Sequence, residues 1–398
     1  MSVYTSVAII GAGPYGLSIA AHLAARGVDF RIYGGAMRTW VQAMPPGMLL
    51  KSDAFASNLY DPDGAFTLEA YCAEQGLAYH ATGLPVPIET FTAYGQAFQR
   101  RFAPQLEDKT VTALTPGPQG FELGFEDGST IRAGQVVVAS GIREFGRMPM
   151  ELQGLPEAIV THSSRWGDPT PLAGRDVVVI GAGASAIDIA ALLRDRCAAV
   201  TVATRAPSIR FHGPPRARTL ADSLLRPMTG LGPGWKSWLA VHAPLVFHAM
   251  PEPFRLEVVR RHLGPAPGWF MREQVEGRIP CLTGSRIVEA SVAAGRGQLT
   301  LAREDGSTEV LSADHIIAAT GYRVDLSRLG FLGPDLRGRL RLTGSSPALS
   351  THFESSVNGL YFVGASAADS FGPLLRFAYG AGFTARRLAR RLVARRAP

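Results

Sequence analysis

One arrangement occurs twice in this chain and narrows the possible folds more than any other feature: a glycine-rich turn set between a buried strand and a helix. The first copy is Gly11-Ala-Gly13-Pro14-Tyr15-Gly16, and the second is Gly181-Ala-Gly183-Ala184-Ser185-Ala186. Ahead of the first, 7–10 reads as a buried strand; after it come a helix over 17–26, Gly27 as its C-cap and a strand over 28–33. The second copy repeats the order, with a strand over 176–180, a helix to about 196 and a strand over 199–204. In such a turn the first glycine bends the chain, the second lets backbone N–H groups approach a pyrophosphate, and the third position sets helix against strand. The helix then presents its free N–H groups and positive dipole end to the phosphates.

The likeness continues downstream. Glu126-Asp-Gly-Ser-Thr130 and Glu304-Asp-Gly-Ser-Thr308 are identical hairpin signals. Each is followed by a buried strand ending in a small-residue turn, at Ser140-Gly141 and at Thr320-Gly321. A lone glycine fingerprint is a weak signal, whereas two in the same context imply an α/β chain built from two Rossmann-like dinucleotide-binding domains.

Which nucleotide each half takes is read where the second strand ends, because an acid there holds a ribose diol. The second half has Thr204 and Arg205 at that place. An arginine there suits the 2′-phosphate of NADPH through charge-assisted, forked hydrogen bonds. The first half ends Tyr33-Gly34-Gly35 and has no acid, and it is followed by Arg38, Trp40 and Leu50-Lys51-Ser52-Asp53.

With 398 residues, 46% of them hydrophobic, the chain can bury two sizeable cores. The net charge of +7 is carried by dispersed arginines, with lysine only at 51, 109 and 236, which disfavours nucleic acid and suits ligands bearing phosphates or carboxylates. Cys72, Cys197 and Cys281 are too scattered for a disulfide framework or a CxxC pair, and the nine histidines have no metal-ligand spacing, so no metal is expected. The N-terminus lacks a basic signal-peptide region, and no apolar run is long enough to span a membrane; a cytoplasmic location without membrane association is the expectation. The one dense basic run, Arg386 to Arg396, has apolar residues at helical spacing, so it reads as a solvated terminal helix, with contact to an anionic membrane as the alternative.

In these motifs the chain resembles the class B flavoprotein monooxygenases: flavin-containing monooxygenases, Baeyer–Villiger enzymes and N-hydroxylases of ornithine, lysine and diamines. The resemblance implies a glutathione-reductase-like FAD/NAD(P)-binding fold. FAD would lie in a discontinuous domain, 1–165 with 322–398, and NADPH in 170–321. The FAD contacts it implies are Gly11, Gly13, Pro14, Tyr15, Gly16, Arg38, Trp40, Lys51, Val111, Ser140, Gly141, Gly364, Gly372 and Leu374. Those for NADPH are Gly181, Gly183, Ala184, Ser185, Ala186, Thr204 and Arg205, with Thr320 and Gly321 at the exit turn. Gly359-Leu-Tyr-Phe-Val-Gly364 is similar to the strand that returns to complete the FAD domain, and Gly372-Pro373 would open a helix facing the flavin.

Leu50-Lys51-Ser52-Asp53, with Asp61-Pro62 and Phe66-Thr67-Leu68, is similar to a stretch of the N-hydroxylases in which the lysine lies near flavin and substrate. Lys51 and Thr320 are therefore the candidate catalytic residues, and a solvated loop cation is the alternative for Lys51. The linker keeps His162, Ser163 and Trp166 of a family signature but has Pro156 and Ala158 where that signature has Phe and Gly. His162 reads as a coupling residue and not as an acid or base.

The implied activity is transfer of one oxygen atom from O2 to a small organic substrate through a C4a-(hydro)peroxyflavin. N-hydroxylation leads, with S-oxygenation and Baeyer–Villiger oxidation as alternatives. A reductase passing electrons to a protein or quinone, and a non-catalytic nucleotide-binding protein, stay open; the oligomeric state is open as well, with a homodimer one option. Residues 210–280 break the repeat, and Trp235, Trp238, Phe247, Phe254, Trp269 and Phe270 there suggest the wall of an apolar substrate channel or simple packing of the insert. Asp222 and Arg226 have the spacing of a helix-face ion pair.

Overall fold

The computed structural model describes residues 3–216, 218–264 and 266–394. Two sheets organise it, the first mixed and the second all parallel. In the first, strands β1 (Val3–Ile10) and β2 (Phe30–Tyr33) lie beside the meander β3 (Val111–Gly117), β4 (Gly120–Phe125) and β5 (Thr130–Val138), in the order β2-β1-β5-β4-β3. The second sheet has the order β6-β13-β7-β8-β9, from β6 (Val160–His162), β7 (Asp176–Ile180), β8 (Ala199–Ala203), β9 (Cys281–Leu282) and β13 (His315–Ala318).

The two halves superimpose in logic. In the first, β1 pairs in parallel with β2 and with β5; in the second, β7 pairs in parallel with β8 and with β13. Buried on both faces, these strands read as unbroken runs such as Val177-Val178-Val179-Ile180, in which each residue is at most 7% exposed. The repeated Glu-Asp-Gly-Ser-Thr segments close hairpins in the same way. Asp127 Oδ1 accepts from the Ser129 amide at 2.9 Å, and Asp305 Oδ1 from the Ser307 amide at 2.9 Å, an aspartate turn that fixes register.

The halves part after the hairpin. β5 runs straight on into the parallel sheet. In the second half the meander β10 (Arg286–Ala293), β11 (Arg296–Ala302) and β12 (Thr308–Ala313) is a separate sheet, and the chain passes through Asp314 before β13. Arg296 ties that break down by pairing with Asp176 at 2.6 Å and Asp314 at 2.9 Å. After the short hairpin β14 (Leu342–Thr343) and β15 (Ser346–Pro347), strand β16 (Leu360–Phe362) returns to pair with β5, as the resemblance implied.

Several expectations need correction. The helix over 17–26 runs instead from Pro14 to Ala24, because proline fits the first helical turn, and the strand after it starts only at Phe30. No α-helix opens at Gly372-Pro373; that segment is one 3-10 turn, Pro373–Arg376, and the α-helix begins at Ala381. Asp222 does not pair with Arg226. Its carboxylate accepts from the Thr219 amide at 3.0 Å and completes a capping box on helix Leu220–Leu225. The terminal helix Ala381–Ala394 has no apolar face to give a membrane: Ala385, Leu388, Ala389 and Leu392 are fully buried in the first core. Arg395 and Arg396 of its basic run lie outside the described residues.

The insert divides its packing. Leu231 and Ala240 join the core of the first sheet, while Met271, Val275 and Ile279 join that of the second.

Candidate functional site

Both glycine turns are shaped by the strand that crosses behind them. A Cβ on Gly11 would sit 2.3 Å from the Ala139 carbonyl oxygen, and one on Gly181 would sit 2.4 Å from that of Ala319, so only glycine lets β1 and β7 turn there. The next strands hold the turns from the other side: the Gly11 amide donates to Tyr33 O at 2.8 Å, and the Gly181 amide to Ala203 O at 2.9 Å. Helices Pro14–Ala24 and Ala184–Leu193 follow. Neither has a side-chain N-cap or an acidic residue in its first turn. Two helix N-termini are therefore left with their amides and positive dipole ends uncompensated by the protein, which is the chemistry a pyrophosphate requires.

The first turn opens on a cleft of about 740 Å³. Of the residues expected to hold FAD, Gly11, Gly13, Pro14, Tyr15, Arg38, Trp40, Val111, Ser140, Gly141 and Gly364 line it. Gly16 lies behind the lining, where a Cβ would come 1.9 Å from the Gly11 carbonyl oxygen. Gly372 and Leu374 do not line the cleft; Leu375, Arg376, Phe377 and Ala378 do. Sequence reasoning also missed Lys109, Thr110 and the loop Arg328 to Phe331, which carry no motif and reach the cleft only through the tertiary fold.

Tyr15 braces this cleft. Its hydroxyl lies 2.8 Å from Phe377 O and 3.0 Å from Leu375 O, which joins the first glycine turn to the C-terminal loop. Burial raises its pKa well above the usual tyrosine value and keeps it a donor.

The absent ribose acid has a local reason. At the end of β2 the Gly34 amide donates to Glu107 O at 3.0 Å, and a Cβ on Gly35 would fall 2.7 Å from Arg38 Nε. The acids nearest this end, Glu107 and Asp108, arrive from another loop and pair with Arg31 and Arg38.

Lys51 does not line the cleft, although Leu50 and Ser52 on either side of it do. Its side chain is exposed and lies within electrostatic reach of Asp188 on helix Ala184–Leu193. Desolvation lowers the pKa of Lys51, and Asp188 partly restores it. Burial pushes the Asp188 carboxyl up to about 7, against the pull of Lys51. His212 of the insert is lowered by burial and by the same lysine, so all three lie near one junction. Nothing in the motif pattern singled out Asp188.

The second turn is more open. Gly181, Gly183 and Ala184 are half-buried, Ser185 is exposed and Ala186 is buried. Thr204 is buried, with its hydroxyl accepting from the Ala206 amide at 3.2 Å, while Arg205 is exposed and makes no ion pair among the described residues. The Thr320 hydroxyl donates to the Arg147 carbonyl, and the Gly321 carbonyl accepts from the Arg147 amide at 2.9 Å. His162 completes this seam. The Ser164 amide donates to its Nδ1 at 3.0 Å, so the proton sits on Nε2 and is given to Gly321 O at 3.1 Å. Burial lowers its pKa to about 4, consistent with a neutral coupling residue.

None of the six insert aromatics lines the cleft. Phe247 lies against Gly372 behind it, and Trp235, Phe254 and Trp269 stay at least 36% exposed, so neither the channel reading nor packing alone describes them.

The pyridine nucleotide-disulphide oxidoreductase family matches residues 8–224, more than half of the chain. The chain belongs to that family. It is 25% identical over 370 residues to a ferredoxin–NADP reductase of Gluconacetobacter diazotrophicus, a match covering 92% of this chain and 84% of that one. A match of 30% identity to the ferredoxin–NADP reductase of Acidiphilium cryptum spans 126 residues, 31% of this chain and 37% of the length of that relative. The fold matches that of the ornithine N-hydroxylase of Kutzneria sp. 744 with a TM-score of 0.76 at 18% identity, over 99% of this chain and 100% of that one. Despite the family's name, the three cysteines of this chain are all free and none lines the cleft. Among the described residues, no helix is long and apolar enough to cross a membrane.

Proposed function

We propose that this chain is an FAD-dependent, NADPH-consuming monooxygenase that places one oxygen atom from O2 on a small nucleophilic substrate, with N-hydroxylation of an amine as the leading reaction. The observation that carries the reading is the pair of bare helix N-termini, each following a strand that is paired in parallel on both sides within its own sheet. Full-length likeness in fold to an ornithine N-hydroxylase supports the choice of reaction. The lack of any cleft cysteine removes the dithiol that disulphide reduction would use.

FAD would be held by the turn Gly11 to Gly16, the brace Tyr15, and Ser140, Gly141 and Gly364; when bound it would supply hydride acceptance and the activation of O2. NADPH would be held by the turn Gly181 to Ala186, with Arg205 giving a forked pair of hydrogen bonds to the 2′-phosphate. His162 orients the Thr320-Gly321 turn at the meeting of the halves through its Nε2 proton. Lys51 and Asp188 bring opposite charges within electrostatic reach of each other from the two halves.

The likeness to ferredoxin–NADP reductases favours one second reading, a reductase that passes electrons onward without oxygenation. The two readings separate when flavin-loaded protein is given NADPH and O2 with ornithine, lysine or cadaverine, or instead with ferredoxin. The monooxygenase reading expects amine-stimulated NADPH oxidation and an N-hydroxylated product carrying the new oxygen. Oxidation indifferent to every amine, together with rapid ferredoxin reduction, would replace it by the reductase.

A further inference from the structure

The insert presents an apolar surface that none of the described residues covers. Among the described residues, 21 large apolar side chains remain exposed, and ten of them fall between 220 and 254, less than a tenth of the chain. Single exposed apolar residues need no explanation, but a concentration of this kind marks a contact surface. Helix Leu220–Leu225 is the extreme case, since it buries none of its residues. Leu220, Leu224 and Leu225 are 88%, 74% and 72% exposed; Leu220 and Leu224, at i, i+4, share one face and Leu225 lies next to it around the helix. Its capping box holds that face in place. Trp235, Val246 and Phe254 continue the exposed apolar character at 53%, 56% and 52%. The Gly234 amide donates to Pro227 O at 2.9 Å, folding the end of the first helix back toward the start of Trp235–His242.

The charge around these side chains is of one sign. Residues 210–261 carry eight Arg and Lys against three Asp and Glu. The three acids are occupied: Asp222 caps its helix, Glu252 accepts from the Gly344 amide, and Glu257 pairs with Arg260 and Arg261. Arg216, Arg218, Arg226 and Lys236 make no ion pair among the described residues. Apolar side chains beside unpaired cations match an anionic lipid surface, where leucine and tryptophan enter the interface and the cations meet headgroups. A second copy fits less well, because a two-fold contact would set Arg218, Arg226 and Lys236 against the same cations.

We propose that the 220–254 face of the insert seats this protein peripherally on an anionic bilayer. The surface is joined to the cleft: Arg376, which lines the cleft, donates to Val259 O at 3.0 Å and to His262 O at 3.3 Å at the end of helix Glu252–Arg261. The terminal basic helix contributes no apolar face, so the lipid-facing element is the insert alone.

The test is flotation of the full flavin-loaded chain with vesicles of phosphatidylcholine, with and without phosphatidylglycerol, at low and high salt. Binding is expected to the phosphatidylglycerol vesicles, with release by salt. The triple change Leu220→Ser, Leu224→Ser, Leu225→Ser should lower binding by about tenfold or more at an unchanged melting temperature, because none of the three is buried. The pair Arg226→Glu, Lys236→Glu leaves the leucines in place and should abolish the preference for phosphatidylglycerol. No binding at low salt would overturn the proposal, as would binding indifferent to both variants. Lipid-free self-association in sedimentation that the triple change reverses, without vesicle binding, would also overturn it and assign the face to a second copy.

Discussion

The two glycine turns share a backbone and differ in what surrounds them. Gly13 and Gly183 take nearly the same conformation, at φ −88° and −84°, and the strands behind them approach within a tenth of an ångström of the same distance. Yet the first turn faces a cleft walled by segments from nine parts of the chain, including the loop 375–378, whereas the second lies half-open with Ser185 and Arg205 in solvent. An enclosed site retains its nucleotide, and an open one exchanges it. The same supersecondary unit is thereby assigned a resident cofactor in one half and a consumed one in the other, by surroundings and not by the fingerprint.

The most severe way to break this contrast is at the third position of the turns. Gly16→Ala drives a Cβ onto the Gly11 carbonyl and should cost more than ~3 kcal/mol, giving protein that retains no flavin and melts early or fails to accumulate. Ala186→Gly in the second turn should cost only about 0.5–1 kcal/mol, read in the same melting experiment. Equal losses would erase the distinction between the turns.

Next in size is Arg205→Ala. Loss of a forked, charge-assisted contact of about 1.5–3 kcal/mol should raise the KM for NADPH roughly 10- to 100-fold and leave that for NADH nearly unchanged. A parallel rise for both nucleotides would remove Arg205 from the 2′-phosphate.

The junction between the halves is probed by pH. With the Asp188 carboxyl raised to about 7 in the fold, the unfolded chain ionises it near pH 4 while the folded chain still holds the proton. The penalty is absent below pH 4, grows as pH rises to 7 and is full above that. Asp188→Asn should therefore match the parent at pH 4 and gain on the order of 1–3 kcal/mol at pH 8, read by denaturant titration at both values. A gain of the same size at pH 4 would point to packing instead of charge.

The smallest effect concerns the brace. Tyr15→Phe removes the hydroxyl that joins the first turn to the C-terminal loop, worth about 1 kcal/mol, and should speed flavin release several-fold without altering the KM for NADPH. Unchanged release would show that the loop is held by other contacts.

The hairpins were legible in the sequence because an aspartate accepting from an amide two residues on leaves its mark within a few positions, and the turns because a carbonyl crossing close behind Gly11 and Gly181 admits no residue but glycine. Ten of the residues expected at FAD line the cleft. What stayed hidden depends on distant segments meeting. Asp188 looks like any helical acid until Lys51 approaches it from another half, and Leu375 to Ala378 reach the cleft through a 3-10 turn that a proline-led helix pattern conceals. The apolar character of the insert was visible, but whether its aromatics faced a channel, a core or solvent depended on packing that no periodicity encodes.

Unequal occupancy of two like sites is tested most directly by gel filtration followed by anaerobic NADPH addition. The prediction is one FAD retained per chain, no retained NADP(H), and rapid bleaching of the flavin by NADPH with much slower bleaching by NADH. A chain that emerges without flavin, or a flavin that NADPH leaves oxidised, would contradict it.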